Sequence, residues 1–404
     1  MILPFVDGGA VERGDASARY RIIVRSLGEA SFALRPVLSR ALAIGDEVLA
    51  RLLLQAPSEL RGDLDGAEAA GLLEALAPTG LDAAAIPVDA PFEPGRGDFE
   101  VALAVRDVRR VPEVAAFAAS FLGTDLASAL KLIFGAPPVL VSRVSAATVA
   151  VLRRRFAPLG VEVFASATAT ARFDLYGAAG AGTGDRRALD VLARLEVPIA
   201  RGAPVTVGRW RRLAEDLGAE VALASWRELR RYDLPVRILD RAFQRFDVRL
   251  DAAGPNGTTG TAPTVERLLV GEAGVPESAV ARILARLPVV VMHDVSRERC
   301  AAIRAALVAA GARVTALPVD LQELVIVLTA APDVDRAART LSGLIGVPEA
   351  EARRALERLP LRVDGPFGPL QARWLRGALG DAGITAHMVP VEPPGCPAAD
   401  GGAP

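Results

Sequence analysis

The stretch "GARVTALPVD" at residues 311–320 places a glycine seven residues before a proline, within an extended and apolar run. The same arrangement occurs in "GLDAAAIPVD" at residues 80–89 and in "GITAHMVPVE" at residues 383–392. Similar segments that recur along one chain indicate a repeated structural unit. The glycine therefore serves as a reference point for aligning the units.

The residues before each reference glycine predict a helix that ends there. Apolar residues four and eight positions earlier form one helix stripe; in four units they are Leu76 and Leu72, Phe156 and Leu152, Leu307 and Ile303, and Leu379 and Leu375. Fifteen positions before the glycine stand Asp65, Ser145, Ser296 and Gly368, of which the first three are good N-cap residues. The left-handed residue that ends the helix is then expected at Gly80, Gly160, Gly218, Gly311 and Gly383.

Prolines further upstream mark a second repeated position. A proline lies 23 residues before four of the glycines, at Pro57, Pro137, Pro288 and Pro360. In the third unit Pro198 lies only 20 residues before Gly218, which predicts that this unit has lost residues. Helical segments precede each proline, and an alternating strand such as "RFDVRL" (residues 245–250) opens each unit.

These patterns predict an α/β protein of the two-layer α+β sandwich type. It consists of about five small domains in tandem, each with the order strand–helix–helix–strand–helix–strand. The predicted units are 19–90, 97–168, 170–226, 244–319 and 321–392, with an N-terminal segment at 1–18, a basic aromatic linker at 227–243 and a disordered tail at 393–404. The third unit is predicted to be degenerate, because "GAAGAGTG" (residues 177–184) stands where its first helix is expected.

The fourth unit resembles the C-terminal domain of the bacterial ribosomal stalk protein, whose fold the Clp-protease adaptor domain shares. "FDVRLDAAGPN" (residues 246–256) is similar to that family's opening strand and loop, and residues 287–314 are similar to its closing half. The resemblance is fair in the second and fifth units and weak in the first and third. It implies a fold of small α/β modules and, by analogy, a role in binding other proteins.

The same resemblance implies contacts with translation factors through basic residues on the first two helices. Four positions of the fourth unit match basic residues of that family. Arg267 is basic here, whereas Val270, Ser278 and Ala281 are uncharged. The resemblance to the adaptor is one of topology only. A ribosome or a translation factor is therefore an alternative partner, with Arg267 as its candidate contact.

Composition predicts a cytoplasmic protein without membrane insertion. The chain is 51% hydrophobic and 24% charged with a formal net charge of −1, which is typical of a soluble globular protein. Its two cysteines, Cys300 and Cys396, cannot form a disulfide framework, which favours a reducing compartment. Acidic residues balance the arginines, so composition does not favour nucleic acid as a partner.

No set of residues predicts catalysis, a metal or a cofactor. The glycines of residues 177–184 do not have the spacing of a dinucleotide loop, and the sole lysine, Lys131, lies outside any phosphate-binding loop. His293 and His387 fall in predicted strands of different units, where we expect structural roles. Cys300 falls on the apolar stripe of its helix, where we expect it in the core. The sequence therefore predicts a protein that is not an enzyme.

One region combines arginines with aromatic residues. It is "WRELRRYDLPVRILDRAFQR" (residues 226–245), with "RWRR" (residues 209–212) upstream. Such interleaving can stack on bases or hold an anionic partner, and the alternative is a linker helix with solvated arginines that packs between domains. The candidate partner-binding residues are Arg209, Trp210, Arg211, Arg212, Trp226, Arg230 and Arg231, in addition to Arg267.

Together these observations predict a non-catalytic scaffold or adaptor that binds protein partners through tandem domains. Tandem copies raise the effective concentration for a multivalent partner. The alternatives are a translation-associated factor and a protein that binds nucleic acid or another anionic partner through its arginine-rich linker.

Overall fold

A computed structural model describes residues 18–178, 183–199, 206–253 and 264–391. These residues combine α-helices with small antiparallel sheets, which confirms the predicted α/β class. The chain divides into two compact halves, residues 1–169 and 170–404. The predicted N-terminal segment, the tail with Cys396 and part of the glycine loop lie outside the described residues.

The first half contains two three-stranded sheets. Its first set of elements is β1 (Tyr20–Ser26), α1 (Arg35–Leu42), α2 (Asp46–Leu54), β2 (Ser58–Leu64), α3 (Gly66–Leu76) and β3 (Asp82–Pro87). Its second set is β4 (Phe99–Val105), α4 (Val111–Leu122), α5 (Leu126–Ile133), β5 (Val139–Val144), α6 (Ala146–Phe156) and β6 (Val161–Ala167). The sheet orders are β2-β1-β3 and β5-β4-β6, so the first strand along the chain is central in both.

The second half contains three sheets. The third set of elements is β7 (Arg172–Ala178), α7 (Thr183–Arg194), β8 (Thr206–Val207), β9 (Trp210–Gly218), α8 (Ala219–Arg231) and β10 (Val236–Asp240). The fourth is β11 (Arg245–Ala252), α9 (Val265–Gly271), α10 (Glu277–Leu284), β12 (Val289–Ser296), α11 (Arg297–Ala309) and β13 (Arg313–Pro318). The fifth is β14 (Leu324–Ala330), α12 (Val334–Ile345), α13 (Glu349–Leu356), β15 (Leu361–Phe367), α14 (Pro369–Asp381) and β16 (Thr385–Pro390).

The strand orders in this half are β10-β7-β9-β8, β12-β11-β13 and β15-β14-β16. The first strand of each set again lies between the later ones, and every pairing is antiparallel. Separate clusters of buried apolar side chains lie under the third, fourth and fifth sheets. Cys300 belongs to the fourth cluster, as its place on the helix stripe predicts.

Local signals set the ends of the last helix in each set. The side chains of Asp65, Ser145 and Ser296 each accept a hydrogen bond from a backbone N–H three residues later, which caps the helix as expected. The backbone φ angle is positive at Gly80, Gly160, Gly311 and Gly383, as a left-handed stop requires. The peptide bonds before Pro57, Pro137, Pro288 and Pro360 are all cis.

The prediction for Gly218 is wrong. This glycine has a φ of −65° and a ψ of 157° and stands at the N-cap of α8, so its helix follows it. The segment before it is strand β9, in which the residues four and eight positions earlier, Ala214 and Trp210, are both buried. Buried apolar residues spaced by four also occur in a strand that is covered on both faces, so this spacing did not distinguish a strand from a helix.

The predicted linker at residues 227–243 and the boundary of the third unit at residue 226 are also wrong. Residues up to Arg231 complete α8, and β10 pairs with β7 from Val236 opposite Gly177 to Asp240 opposite Phe173. The third set of elements therefore extends to Asp240. Each of the other sets has a second helix after its first helix. At this position the described residues of the third set form the short strand β8.

Candidate functional site

The residues predicted to bind a partner do not form one surface. Arg209 and Trp210 lie at the turn between β8 and β9, where they contact Glu323 just before β14. The Glu323 carboxylate pairs with Arg209 at 3.0 Å and with Arg237 at 3.1 Å, and it accepts a hydrogen bond from Trp210 Nε1 at 3.3 Å. These residues therefore join the third and fifth sets of elements to each other within the second half.

The remaining predicted residues lie on other surfaces. Trp226 is half-buried against the core of the third sheet, and the exposed Arg230 guanidinium lies 5.9 Å from its ring. Arg231 pairs with Glu228 at 2.8 Å on the same helix. Arg267 is exposed on α9, and Arg211 is half-buried in β9. The structure therefore does not bring α8, α9 and the β8–β9 turn together into one site.

Among the residues predicted to bind a partner, Arg212 lies in the wall of a cleft between the third and fourth sheets. The cleft has a volume of about 420 Å³ and is partly open. Strands β7 and β9 form one wall, and α11 with β13 forms the other. The polar residues of its walls are Asp174, Tyr176, Thr206, Arg212, Gln244, Arg297, Arg304 and Thr315.

Asp174 is a buried carboxylate in the wall of this cleft. Its side chain is only 1% exposed and accepts hydrogen bonds from the backbone N–H of Asp216 at 3.1 Å and from Gln244 Nε2 at 3.1 Å. Arg297 Nη2 donates to it at 2.7 Å, and Arg241 Nε lies 3.7 Å away. A buried carboxylate with this set of donors holds the Arg297 guanidinium in a fixed position.

Two other groups in the walls of the cleft remain protonated near neutral pH. Burial, with the charge of Asp174 as a second cause, raises the pKa of Tyr176 well above its ordinary value. Burial also raises the pKa of Cys300, although Arg304 and Arg297 act to lower it. The thiol is therefore a weak nucleophile, and the phenol remains a hydrogen-bond donor.

The fourth sheet repeats part of this polar arrangement. The Asp247 carboxylate accepts from the backbone N–H of Asp294 at 2.9 Å and from Gln322 Nε2 at 3.1 Å, and His293 Nδ1 lies 3.5 Å from it. Burial acts to raise the pKa of Asp247, but the hydrogen bonds from His293 and Asp294 outweigh it, so this pKa is lowered. His293 therefore contacts a structural carboxylate. His387 is exposed in β16, and no cluster of three potential metal ligands occurs within the described residues.

A second concavity lies on the first set of elements, and we call it the α1–α3 groove. It has a volume of about 350 Å³ and lies between the C-terminal end of α1, the end of β2 and α3. Its lining is mostly apolar, with one basic and one acidic side chain: Ala41, Leu42, Ala43, Arg61, Leu64, Glu68 and Leu72. Glu68 completes the capping box of α3 with Asp65. The Arg61 side chain is exposed and makes no hydrogen bond or ion pair with any described residue.

Sequence reasoning missed Asp174, Arg297 and Arg304, although one signal was present. The tripeptide "RFD" occurs at residues 172–174 and again at 245–247, and its aspartate is the buried carboxylate in both sheets. The arginines of α11 carry no comparable signal, because the cleft forms only when two sheets pack together.

Asp320, two residues after β13, is expected to make stability depend on pH. This side chain is buried, and burial, with the charge of Asp294 second, raises its pKa to about 7, although Arg237 and Arg245 act to lower it. The folded state therefore binds a proton that the unfolded state releases at about pH 4, so this group lowers stability as the pH rises from about 4 to 7.

We expect Asp320→Asn to raise the melting temperature at pH 8 by roughly 5 °C and to leave it almost unchanged at pH 4. Calorimetry of the full chain at both pH values measures this difference. Comparison of the variant with the parent protein at each pH removes the contribution of other titrating groups. A variant that is less stable than the parent at pH 8 contradicts the assignment.

Comparison with known proteins gives no relative. No protein-family model, curated protein or solved structure matches the chain. Among the described residues, no single helix has the length and apolar character needed to cross a membrane.

Proposed function

We propose that this chain is a non-catalytic scaffold or adaptor, and that the α1–α3 groove receives an apolar segment of a protein partner. The main observation in support is that three large apolar side chains in the lining of the groove, Leu42, Leu64 and Leu72, are partly exposed. A concave apolar surface on a folded protein favours contact with a ligand or a partner.

The charges beside the groove favour one kind of partner segment. Glu68 already accepts a hydrogen bond from the backbone N–H of Asp65 at 3.0 Å, whereas Arg61 has no ion pair among the described residues. An acidic residue next to two or three large apolar side chains complements this arrangement. Such a segment is an amphipathic helix or an extended peptide with an acidic flank.

The linked sets of elements support a scaffold. In the first half, the Ser145 hydroxyl donates to the Ala56 carbonyl, and Arg155 donates to the Ala30 carbonyl at 2.6 Å. These contacts hold the first and second sheets in a fixed arrangement. A groove on such a support is presented to a partner with little loss of conformational entropy.

Site-specific photo-crosslinking tests the proposal. A benzoylphenylalanine at Ala41, exposed at the edge of the groove, is introduced into the full chain in its native cells. We expect a discrete protein adduct whose yield falls several-fold with Arg61→Glu, because this change reverses a charge at the edge of the groove. Leu72→Asp is expected to remove the adduct.

The matched control is Arg282→Glu, which reverses an exposed arginine on α10 that has no described partner. We expect it to leave the adduct unchanged. Circular dichroism checks that each variant folds. The proposal is abandoned if folded Arg61→Glu and Leu72→Asp variants both give the parental adduct yield, or if Ala41 gives no adduct.

A further inference from the structure

The cleft between the third and fourth sheets has an excess of positive charge. Its walls carry the guanidinium groups of Arg212, Arg297 and Arg304 but only one carboxylate, that of Asp174. Asp174 is already paired with Arg297 at 2.7 Å, and Glu215, outside the walls, pairs with Arg212 at 2.9 Å. The Arg304 side chain is exposed and has no hydrogen bond or ion pair with any described residue.

Two different elements direct these arginines into the same space. Arg297 and Arg304 are seven residues apart on α11, which places them two turns apart on one face of the helix. Arg212 comes from β9 on the opposite wall. The Arg297 guanidinium also lies 5.4 Å from the centre of the Phe246 ring. Arg297 and Arg212 are therefore held in place by contacts of the protein before any ligand arrives.

The same two arginines keep unused donors. The Nε atoms of Arg212 and Arg297 are buried and meet no acceptor among the described residues. Because buried polar groups are almost always hydrogen-bonded, each such exception needs an explanation. Acceptor oxygens of a bound ligand are one such explanation.

We propose that this cleft binds a small organic molecule with two negative charges on its phosphate or carboxylate oxygens, held by Arg212, Arg297 and Arg304. Guanidinium groups bind both phosphate and carboxylate oxygens in a bidentate manner, so a phosphate ester and a dicarboxylate share this chemistry. The volume of about 420 Å³ lies within the range of small-molecule sites. Such a ligand contacts both sheets at once. This site is independent of the proposed partner groove, which lies in the other half of the chain.

Isothermal titration of the full chain with pyrophosphate and with succinate tests this inference. Each titration is compared with sodium chloride at equal ionic strength, because weak surface binding is screened by salt. We expect saturable binding of at least one anion, and the tighter anion identifies the ligand class. Arg304→Gln is expected to weaken that binding about tenfold or more, the effect of losing one charged hydrogen-bonding partner.

Arg286→Gln is the matched control, because Arg286 belongs to the same set of elements, is exposed, has no described partner and does not line the cleft. It is expected to leave the affinity unchanged. Arg212→Gln is a second variant from the opposite wall, expected to weaken binding as Arg304→Gln does. The inference is overturned if neither anion binds saturably, if binding survives both cleft variants unchanged, or if Arg286→Gln weakens it equally.

Discussion

Replacing Asp174 with alanine is expected to lower the free energy of unfolding of the third set of elements by about 3 kcal/mol or more. The change removes the acceptor of three hydrogen bonds, from Asp216 N–H, Gln244 and Arg297. It also leaves the Arg297 charge largely buried without its carboxylate. Both consequences act in the folded state, where water does not replace the lost acceptor.

Two features allow this destabilisation to be measured locally. Trp210 and Trp226 both lie in the third set of elements, whereas Trp374 lies in the fifth, so in a Trp374→Phe background the fluorescence in urea reports on unfolding of the third set. Hydrogen exchange in residues 172–178 provides an independent measurement. The control is Glu228→Ala in the same set of elements, because Glu228 pairs with the exposed Arg231 at 2.8 Å on the surface of α8, and such surface pairs contribute about 1 kcal/mol or less. Equal losses in the two variants contradict the role assigned to Asp174.

Replacing Phe156 with alanine is expected to destabilise the second set of elements by about 3–5 kcal/mol. Phe156 is completely buried at the end of α6, and its ring packs edge-on against Phe117 with centroids 4.9 Å apart and an interplanar angle of 82°. Alanine removes this aromatic contact and leaves a cavity among close-packed neighbours.

Hydrogen exchange in β5 and β6 measures this loss, because α6 packs over the sheet to which both strands belong. Leu126→Ala is the control, since Leu126 is 50% exposed on α5. Surface substitutions of this kind change stability by about 0.5 kcal/mol or less. A loss of less than 1 kcal/mol in Phe156→Ala would falsify its assigned place in the core.

The parts of the fold that could be predicted are those with local causes. A serine or aspartate N-cap and a left-handed glycine each act within one helix turn, so Asp65, Ser296 and Gly311 could be assigned from their own neighbourhood. Alternating apolar residues similarly identified the central strands. These signals need no knowledge of what packs against them.

The third set of elements could not be predicted in the same way, because its two faces are both covered. Leu213 faces the core under α7 and α8, whereas Tyr176 and Trp210 pack with Leu239 and Leu321 on the other face. A strand buried on both sides loses the alternation that distinguishes it from a helix.

The cleft and the α1–α3 groove also could not be predicted from the sequence, because each is formed by residues from separate elements. Arg212 and Arg304 come from different sheets, and the α1–α3 groove combines side chains from two helices and a strand. Their proximity depends on packing between elements that are distant in the sequence. Residue type alone identified Arg212, but no sequence pattern pointed to its partners.

The glutamines that follow the third and fourth sheets affect how the chain can be divided. Gln244 reaches back to Asp174, and Gln322 reaches back to Asp247, each from beyond the last strand of the sheet that it contacts. A fragment cut directly after β10 or β13 therefore loses a ligand of its own buried carboxylate. A fragment that extends through Gln244 or Gln322 keeps the hydrogen bond to its buried aspartate. Fragment boundaries are therefore better placed after these glutamines than directly after the last strand.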